Sequence, residues 1–238
     1  VSELRQRGAE PYALNVAAGG LGAAARLMLA EVHDGARVLD VGCATGYIAA
    51  RLSERGCSVT GFERDPRSAA LAEQHCEAVI VGDIESPDAR AAIPSGFDVV
   101  LLGDVLEHLI DPWDALRFVR GLLAPGGVVV TSIPNVAAWT VRLRLIKGSW
   151  EYTEIGLLDR THLRFFTRRS AHELARGAGF AIERERFSPI EQAPGVLRRV
   201  APLPTDVAVR ALLRVWPELM AQQFVLRLRP DRPARNRG

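Results

Sequence analysis

Val38-Leu39-Asp40-Val41-Gly42-Cys43-Ala44-Thr45-Gly46-Tyr47 is the stretch whose reading decides the fold. Val38, Leu39 and Val41 are apolar and β-favouring, the mark of a short buried strand. Gly42 and Gly46 bracket a tight turn, and Tyr47 to Leu52 starts a helix. Strand, glycine-bracketed turn and helix open a nucleotide-binding α/β unit. The glycines let the backbone approach a ligand with no Cβ in the way.

The turn also says which ligands it does not suit. A dinucleotide fingerprint wants G-x-G-x-x-G. The frame starting at Gly42 has Ala44 and Tyr47 at the second and third glycine positions. A P-loop wants Gly-Lys-Ser/Thr, and the chain has none. Asp40 ends the strand just before the loop, where a carboxylate repels a pyrophosphate and attracts a cationic ligand.

Working outward, Cys57 to Glu63 reads as a second strand ending in an acid, followed by Arg64. Glu63 lies about 20 residues beyond the glycine loop, where an α/β nucleotide site places an acid on the ribose hydroxyls. The plainer alternative is a solvated glutamate at a strand end. Asp65-Pro66 starts a helix with Pro in its first turn. Ala78 to Asp83 is a third strand, again with a terminal acid, and Ile84 follows it.

Gly96 to Gly103 is the fourth strand, and Asp104-Val105-Leu106-Glu107-His108 continues from its end. Asp111-Pro112-Trp113 starts a helix to about Leu123. Ala124-Pro125-Gly126-Gly127 reads as a sharp turn and Val128 to Ile133 as the fifth strand. This alternation predicts a doubly wound parallel sheet. The carboxyl ends of parallel strands line one crevice. Asp40, Glu63 and Asp83 there suit a ligand carrying amine, hydroxyl and adenine donors.

These motifs, in this order from roughly Ala36 to Phe187, resemble the class I S-adenosylmethionine (SAM)-dependent methyltransferases. Their ligand carries an ammonium and a sulfonium. The resemblance implies an α/β fold: a doubly wound, mostly parallel seven-stranded sheet with helices on both faces, Rossmann-like, with the last strand antiparallel. It also implies SAM as cofactor and S-adenosylhomocysteine (SAH) as product. SAM would be held by Asp40, Gly42, Cys43, Ala44, Gly46, Tyr47, Glu63, Arg64, Asp83, Ile84, Gly103, Asp104 and Val105. Asp83 would take the adenine amino group and Ile84 would pack on the ring.

The methyl group of SAM is already a strong electrophile. The protein must align an acceptor lone pair behind it and often remove a proton. Asp104, Glu107 and His108 are spaced i, i+3 and i+4, which puts them on one face if the turn is helical. His162 stands far away in sequence. The set is similar to a metal-dependent branch in which a Glu-x-x-Glu-His turn and a later histidine hold Mg²⁺ or a similar ion. Ubiquinone-pathway O-methyltransferases and small-RNA 2′-O-methyltransferases are similar in the first part. Asp104 stands where that branch has its first Glu, one methylene shorter. The residues leave three readings open. In the first, Asp104, Glu107, His108 and His162 bind Mg²⁺ or Mn²⁺; in the second, His108 or His162 acts as a metal-free base; in the third, both histidines only orient the acceptor. Asp104-x-x-Glu107 is also a helix-capping pattern.

The rest of the chain divides as follows. Residues 1–35 read as a helical lead-in, with Leu21 to Val32 rich in Ala and Leu, His33-Asp34-Gly35 as its stop, and Tyr12 in a lid. Residues 36–229 form the methyltransferase domain. An insertion at about 134–167 holds a helical stretch from Val136 to Ile146, then Trp150, Tyr152 and Asp159 to Thr167. It is expected to form the acceptor pocket, or else a helical hairpin on the sheet edge. Asp159 to Thr167 is similar to a region in bacterial methyltransferases acting on sugars and natural-product scaffolds. Ser170 to Ala178 is a helix with Ser170-x-x-Glu173 as capping box, Phe180 to Phe187 a strand, Pro189 to about Pro204 a loop. Asp206 to Val215 is a helix, Gln222 to Leu228 the last strand, and 230–238 a disordered tail.

The 238 residues suffice for one domain with embellishments. A net charge of +2 gives no bulk attraction to nucleic acid or membrane. Cys43, Cys57 and Cys76 form no C-x-x-C pair, which argues against a disulfide framework or a cysteine zinc site and for a reducing cytoplasm. The first residues carry no signal-peptide core, and no apolar run is long enough to span a bilayer. The expected activity is methyl transfer to a hydroxyl of a small metabolite, such as a sugar, phenolic or natural-product scaffold. The rivals are an RNA 2′-O-methyltransferase, disfavoured by the absence of clustered Lys and Arg, and a SAM-binding regulator or assembly subunit without turnover.

Overall fold

Alternation of apolar residues along the central strands fixes the layers. In the computed structural model, which describes residues 21–189 and 211–231, Leu39 and Val41 of β1 (Arg37–Val41) enter one buried cluster and Val38 the other. β4 (Phe97–Gly103) repeats the pattern, with Val100 and Leu102 on one side and Val99 and Leu101 on the other. A strand with period-2 side chains and no polar face needs cover on both sides. α1 (Ala23–Leu29) and α2 (Tyr47–Ser53) cover one face with Met28, Ile48 and Leu52. α5 (Pro112–Arg120) and α7 (Arg168–Gly177) cover the other with Leu116, Val119 and Leu174. Each such side chain contributes roughly 1.5–3 kcal/mol by leaving water.

The remaining elements are β2 (Ser58–Glu63), α3 (Pro66–Ala72), β3 (Ala78–Val81), α4 (Pro87–Ala91), β5 (Leu123–Pro134), α6 (Trp139–Ile146), β6 (Phe180–Pro189), α8 (Pro217–Met220) and β7 (Ala221–Pro230). The seven strands lie in the order β3-β2-β1-β4-β5-β7-β6. β1 to β5 pair in parallel, and β7 runs antiparallel between β5 and β6. The expected doubly wound, seven-stranded sheet with an antiparallel last strand is therefore present.

Four local expectations are corrected. Ala124 to Gly127 is a bulge inside β5 rather than a turn: Phe97 pairs with Leu123, but Val99 already pairs with Val128. Gly127 is needed there because a Cβ would lie 2.7 Å from the Phe97 carbonyl oxygen. The capping box of α7 is Thr167 with Ser170, one turn before the expected Ser170 and Glu173. α6 begins at Trp139, not Val136, because Asn135 and Val136 are tied by backbone bonds to Gln222 and Phe166. Pro230 belongs to β7, and the Asp231 N–H donates to the Gly179 carbonyl, so the expected tail does not begin there. Tyr12 and the lead-in before residue 21, the loop at 190–204, residues 206–210 and the tail from 232 lie outside the described residues, while 211–215 are helical. Among the described residues no helix is long and apolar enough to cross a membrane.

Candidate active site

The strand order reverses between β1 and β4, and an open α/β sheet holds its ligand crevice at the carboxyl ends flanking that reversal. Two loops meet there. A Cβ on Gly42, whose φ is +71°, would lie 2.8 Å from Val105 Cγ2, so only glycine lets the loop after β1 pass the loop after β4. The Gly42 and Cys43 N–H groups donate to the Phe62 carbonyl at 2.7 and 3.3 Å, which hangs the loop on β2. Gly46, also left-handed, is the N-cap of α2, and Tyr47 and the buried Ile48 follow.

Glu63 organises the next part. Its Oε2 accepts from the Ala44 N–H at 2.9 Å and its Oε1 from the Asp65 N–H at 2.9 Å. A carboxylate has about four acceptor sites, so two stay free for hydroxyl donors. Asp83 accepts from the Glu85 N–H at 2.9 Å, and Ile84 beside it is buried. Asp40 lies enclosed beneath the loop with no hydrogen-bond partner for Oδ2. Burial first, and the Glu63 charge second, push its carboxyl up to about 7. Burial and the acids at 104 and 40 likewise push the Tyr47 hydroxyl up. Arg64 is close enough to His108 to disfavour its protonation.

After β4 the chain turns sharply. Asp104 sits at φ 54°, outside any helix, and one 3₁₀ turn follows at Leu106–His108. The spacing i, i+3, i+4 therefore does not place Asp104 on one face with Glu107 and His108. Its N–H donates to Ser132 Oγ at 3.0 Å, and its Oδ1 accepts from Ser132 Oγ at 2.7 Å and Gln223 Nε2 at 2.6 Å. Nor does it cap the turn: the N-cap position is Val105, with no side-chain cap bond.

The cluster that does form is Glu107, His108 and His162, each offering one ligand atom, all within 4.8 Å of one another. Asp104, expected with them, stands outside it. His162 Nε2 is 3.9 Å from Glu107 Oε1. Both Glu107 oxygens and His162 Nδ1 are buried without a hydrogen-bond partner. Burial, then the Asp104 charge, pushes the Glu107 carboxyl well above its usual range. Burial, then His108, pushes His162 down to about 4, and burial also lowers His108. Both rings are neutral at neutral pH.

The insertion is pinned to this turn. The Leu163 and Arg164 N–H groups donate to the Glu107 carbonyl at 2.8 and 2.9 Å. His108 Nδ1 lies 3.2 Å from the Thr161 carbonyl and 3.1 Å from Thr161 Oγ1. A neutral ring facing a carbonyl carries its proton on Nδ1, leaving the Nε2 lone pair free. Thr161 Oγ1 donates in turn to the buried Asp159 carboxylate at 2.6 Å. Phe165 packs edge-on to His162 at 6.1 Å and to Trp150 at 5.3 Å, with Tyr152 at 6.4 Å. Asp159 and Thr161 were inside the quoted stretch but carried no sequence signal of their own. Ser132 and Gln223 were missed because only strand pairing brings them to Asp104.

Residues 19–185 match the sequence model of a methyltransferase-domain family. The chain is 30% identical over 183 residues to the ubiquinone biosynthesis O-methyltransferase of Chromobacterium violaceum, covering 75% of this chain and 77% of that one. It is 30% identical over 149 residues to the protein of the same name from Cereibacter sphaeroides, covering 61% of this chain. There the match spans 60% of the relative's length. A SAM-dependent methyltransferase from Thermotoga maritima superposes with a TM-score of 0.64 at 18% identity, over 95% of this chain and 97% of that one. At that identity the likeness speaks for the fold.

Proposed function

The chain belongs to the class I SAM-dependent methyltransferase family, and from that premise we propose that it methylates a hydroxyl of a small metabolite, at a centre formed by Glu107, His108 and His162. The observation that carries the proposal is the buried Glu107 carboxylate, both of whose oxygens lack a partner within reach of two neutral histidines.

The cofactor half fits SAM by its donor set. Glu63 has acceptor sites left for two ribose hydroxyls, and Asp83 keeps an oxygen for an adenine amino group with Ile84 beside it. The Gly42 turn leaves the backbone bare where the ligand approaches. Asp40 beneath the loop has an unpartnered Oδ2, and a cation facing it would favour its ionised form, which suits a positively charged methionine end. SAM supplies the activated methyl group.

The acceptor half derives from the turn after β4. A carboxylate buried with no partner is costly, and a divalent cation is a partner that a Glu and two neutral imidazoles suit, the imidazole nitrogens favouring a first-row ion over an oxygen-only one. Glu107, His108 and His162 would hold a divalent ion such as Mg²⁺ or Mn²⁺, whose chemistry is to lower the pKa of a hydroxyl. Asp159 and Thr161 hold the His108 ring in one tautomer, the role of groups behind a ligand or a base. A histidine held near pKa 4 is a weak base at neutral pH, which favours the cation over a lone histidine base. Trp150, Tyr152 and Phe165 offer an aromatic wall beside His162. That wall favours a phenolic or otherwise flat acceptor.

The test is SAM turnover against a panel of phenols, hydroxylated sugars and short RNA, followed by mass spectrometry of the products. The expected result is a single methyl added to a phenol-type hydroxyl. Methylated RNA, or products methylated only on nitrogen or carbon, would overturn the acceptor assignment.

A further inference from the structure

Cys43 and Cys76 are far apart in sequence, yet their thiols meet beside a glycine of β2. A Cβ on Gly61 would lie 2.8 Å from Cys43 Sγ and 3.1 Å from Cys76 Sγ. The missing side chain of Gly61 is what gives the two sulfurs room. The Asp40 carboxylate is the charge that acts on both thiols. The two are unequal. Cys43 is buried in the loop after β1, whereas Cys76 is partly exposed and borders a surface cavity of about 620 Å³ together with Cys57, His75 and Glu77. The contact holds the Cys43 proton in place and favours the thiolate at Cys76. Cys57, the third thiol, is buried and points to the His33 carbonyl instead.

We propose that Cys43 and Cys76 are an oxidation site, closing to a disulfide in the presence of a hydroperoxide and thereby reshaping the loop that receives SAM. The accessible Cys76 sulfur attacks the peroxide oxygen. An S–O bond forms, the O–O bond breaks, and the departing oxygen takes the Cys76 proton and leaves as water or alcohol. Cys43 then attacks the Cys76 sulfur. The S–S bond forms, the S–O bond breaks, and the leaving hydroxide takes the Cys43 proton to give water. Both thiols are oxidised and one peroxide is reduced.

The consequence follows from where Cys43 sits. Its N–H is bonded to the Phe62 carbonyl and its carbonyl accepts from the Gly46 N–H at 2.9 Å, so its backbone sets the turn. A disulfide needs its sulfurs about 2.05 Å apart, closer than two thiols in contact. Closing that gap draws Cys43 toward Cys76 and strains both bonds. The effect on SAM rests on the methyltransferase reading; the cross-link itself does not.

The experiment treats the full chain with one to two equivalents of hydrogen peroxide, maps peptides by mass spectrometry, and measures SAH affinity by calorimetry before and after. The expected product is a Cys43–Cys76 cross-linked peptide pair, with Cys57 still open to alkylation. SAH binding is expected to weaken tenfold or more and to recover with dithiothreitol. Cys76→Ser should bind SAH normally and be indifferent to peroxide, and Cys57→Ser should still cross-link. Sulfinic acid at Cys76 without a cross-link, or a pair that includes Cys57, would overturn the site. A Cys43–Cys76 cross-link with unaltered SAH affinity would overturn its effect on the loop. Reduced protein that fails to bind SAH would instead overturn the cofactor reading, and the cross-link would then be judged on the peptide map alone.

Discussion

His162 Nε2 stands 3.9 Å from Glu107 Oε1, and neither Glu107 oxygen nor His162 Nδ1 has a hydrogen-bond partner. The two residues are 55 positions apart in sequence. The backbone bonds from Leu163 and Arg164 to the Glu107 carbonyl bring them together. Buried carboxylates are ordinarily bonded, and this exception is what the proposed metal centre rests on. A divalent ion held between Glu107 and the Nε2 side of His162, as proposed above, would give the Glu107 oxygens their partner.

Glu107→Gln keeps the shape and removes the charge. In metal-free protein at pH 8 the variant should be as stable as the parent or gain about 1–3 kcal/mol, because a carboxyl that burial makes costly to ionise is replaced by a neutral amide. Turnover should fall at least a hundredfold. Urea unfolding and SAM turnover, measured side by side, check both halves. A large loss of stability would mean that Glu107 has a structural partner.

The pH dependence of stability carries a distinct sign. Asp40 rises from 3.8 to about 7 on folding, and burial raises Asp104 and Glu107 in the same direction. The folded chain then binds more protons than the unfolded chain between about pH 4 and 7, so stability falls as pH rises through that window. At about 1.4 kcal/mol per pH unit, Asp40 accounts for at most about 4 kcal/mol. Asp40→Asn should flatten the slope without abolishing it. Urea midpoints of both proteins at pH 5 and pH 7.5 give the answer; equal slopes would remove Asp40 from the account.

Gly42→Ala places a Cβ 2.8 Å from Val105 Cγ2 at a φ of +71°. The left-handed backbone costs about 1–2 kcal/mol, and the clash pushes the loops after β1 and β4 apart. SAH affinity should fall at least tenfold, with a loss of a few degrees in Tm. Unchanged affinity by calorimetry would place the cofactor elsewhere.

Thr161→Val removes the hydroxyl between Asp159 and His108 but leaves the Thr161 carbonyl in place. Groups behind a ligand typically carry 10- to 100-fold in activity or metal affinity. The expected result is a kcat lowered about tenfold with the SAM KM unchanged. A raised SAM KM at constant kcat would assign Thr161 to the cofactor half instead.

The turn proposed to receive the cofactor was legible because local sequence makes it. Strand, glycine turn and helix are contiguous, and Glu63 and Asp83 end strands whose apolar runs are plain to read. The acceptor half was legible only in its residue types. His108 and His162 were singled out and the fold brings them together, but the i, i+3, i+4 spacing misplaced Asp104. Its left-handed φ depends on Ser132 and Gln223, and pairing of β4 with β5 and β7 brings those in from distant sequence. The Ala124–Gly127 bulge was misread for a related reason. Pro-Gly-Gly is turn chemistry locally, and only the neighbouring β4 keeps it in register. The Cys43–Cys76 contact carries no spacing signal, since it depends on the Gly61 side of β2.

The central claim is the Glu107–His108–His162 centre, and electron paramagnetic resonance of Mn²⁺ titrated into the protein with SAH present tests it most directly. One tightly held Mn²⁺ per chain is expected, with Glu107→Gln and His162→Ala each abolishing it. No bound Mn²⁺, or binding that survives both substitutions, would contradict it.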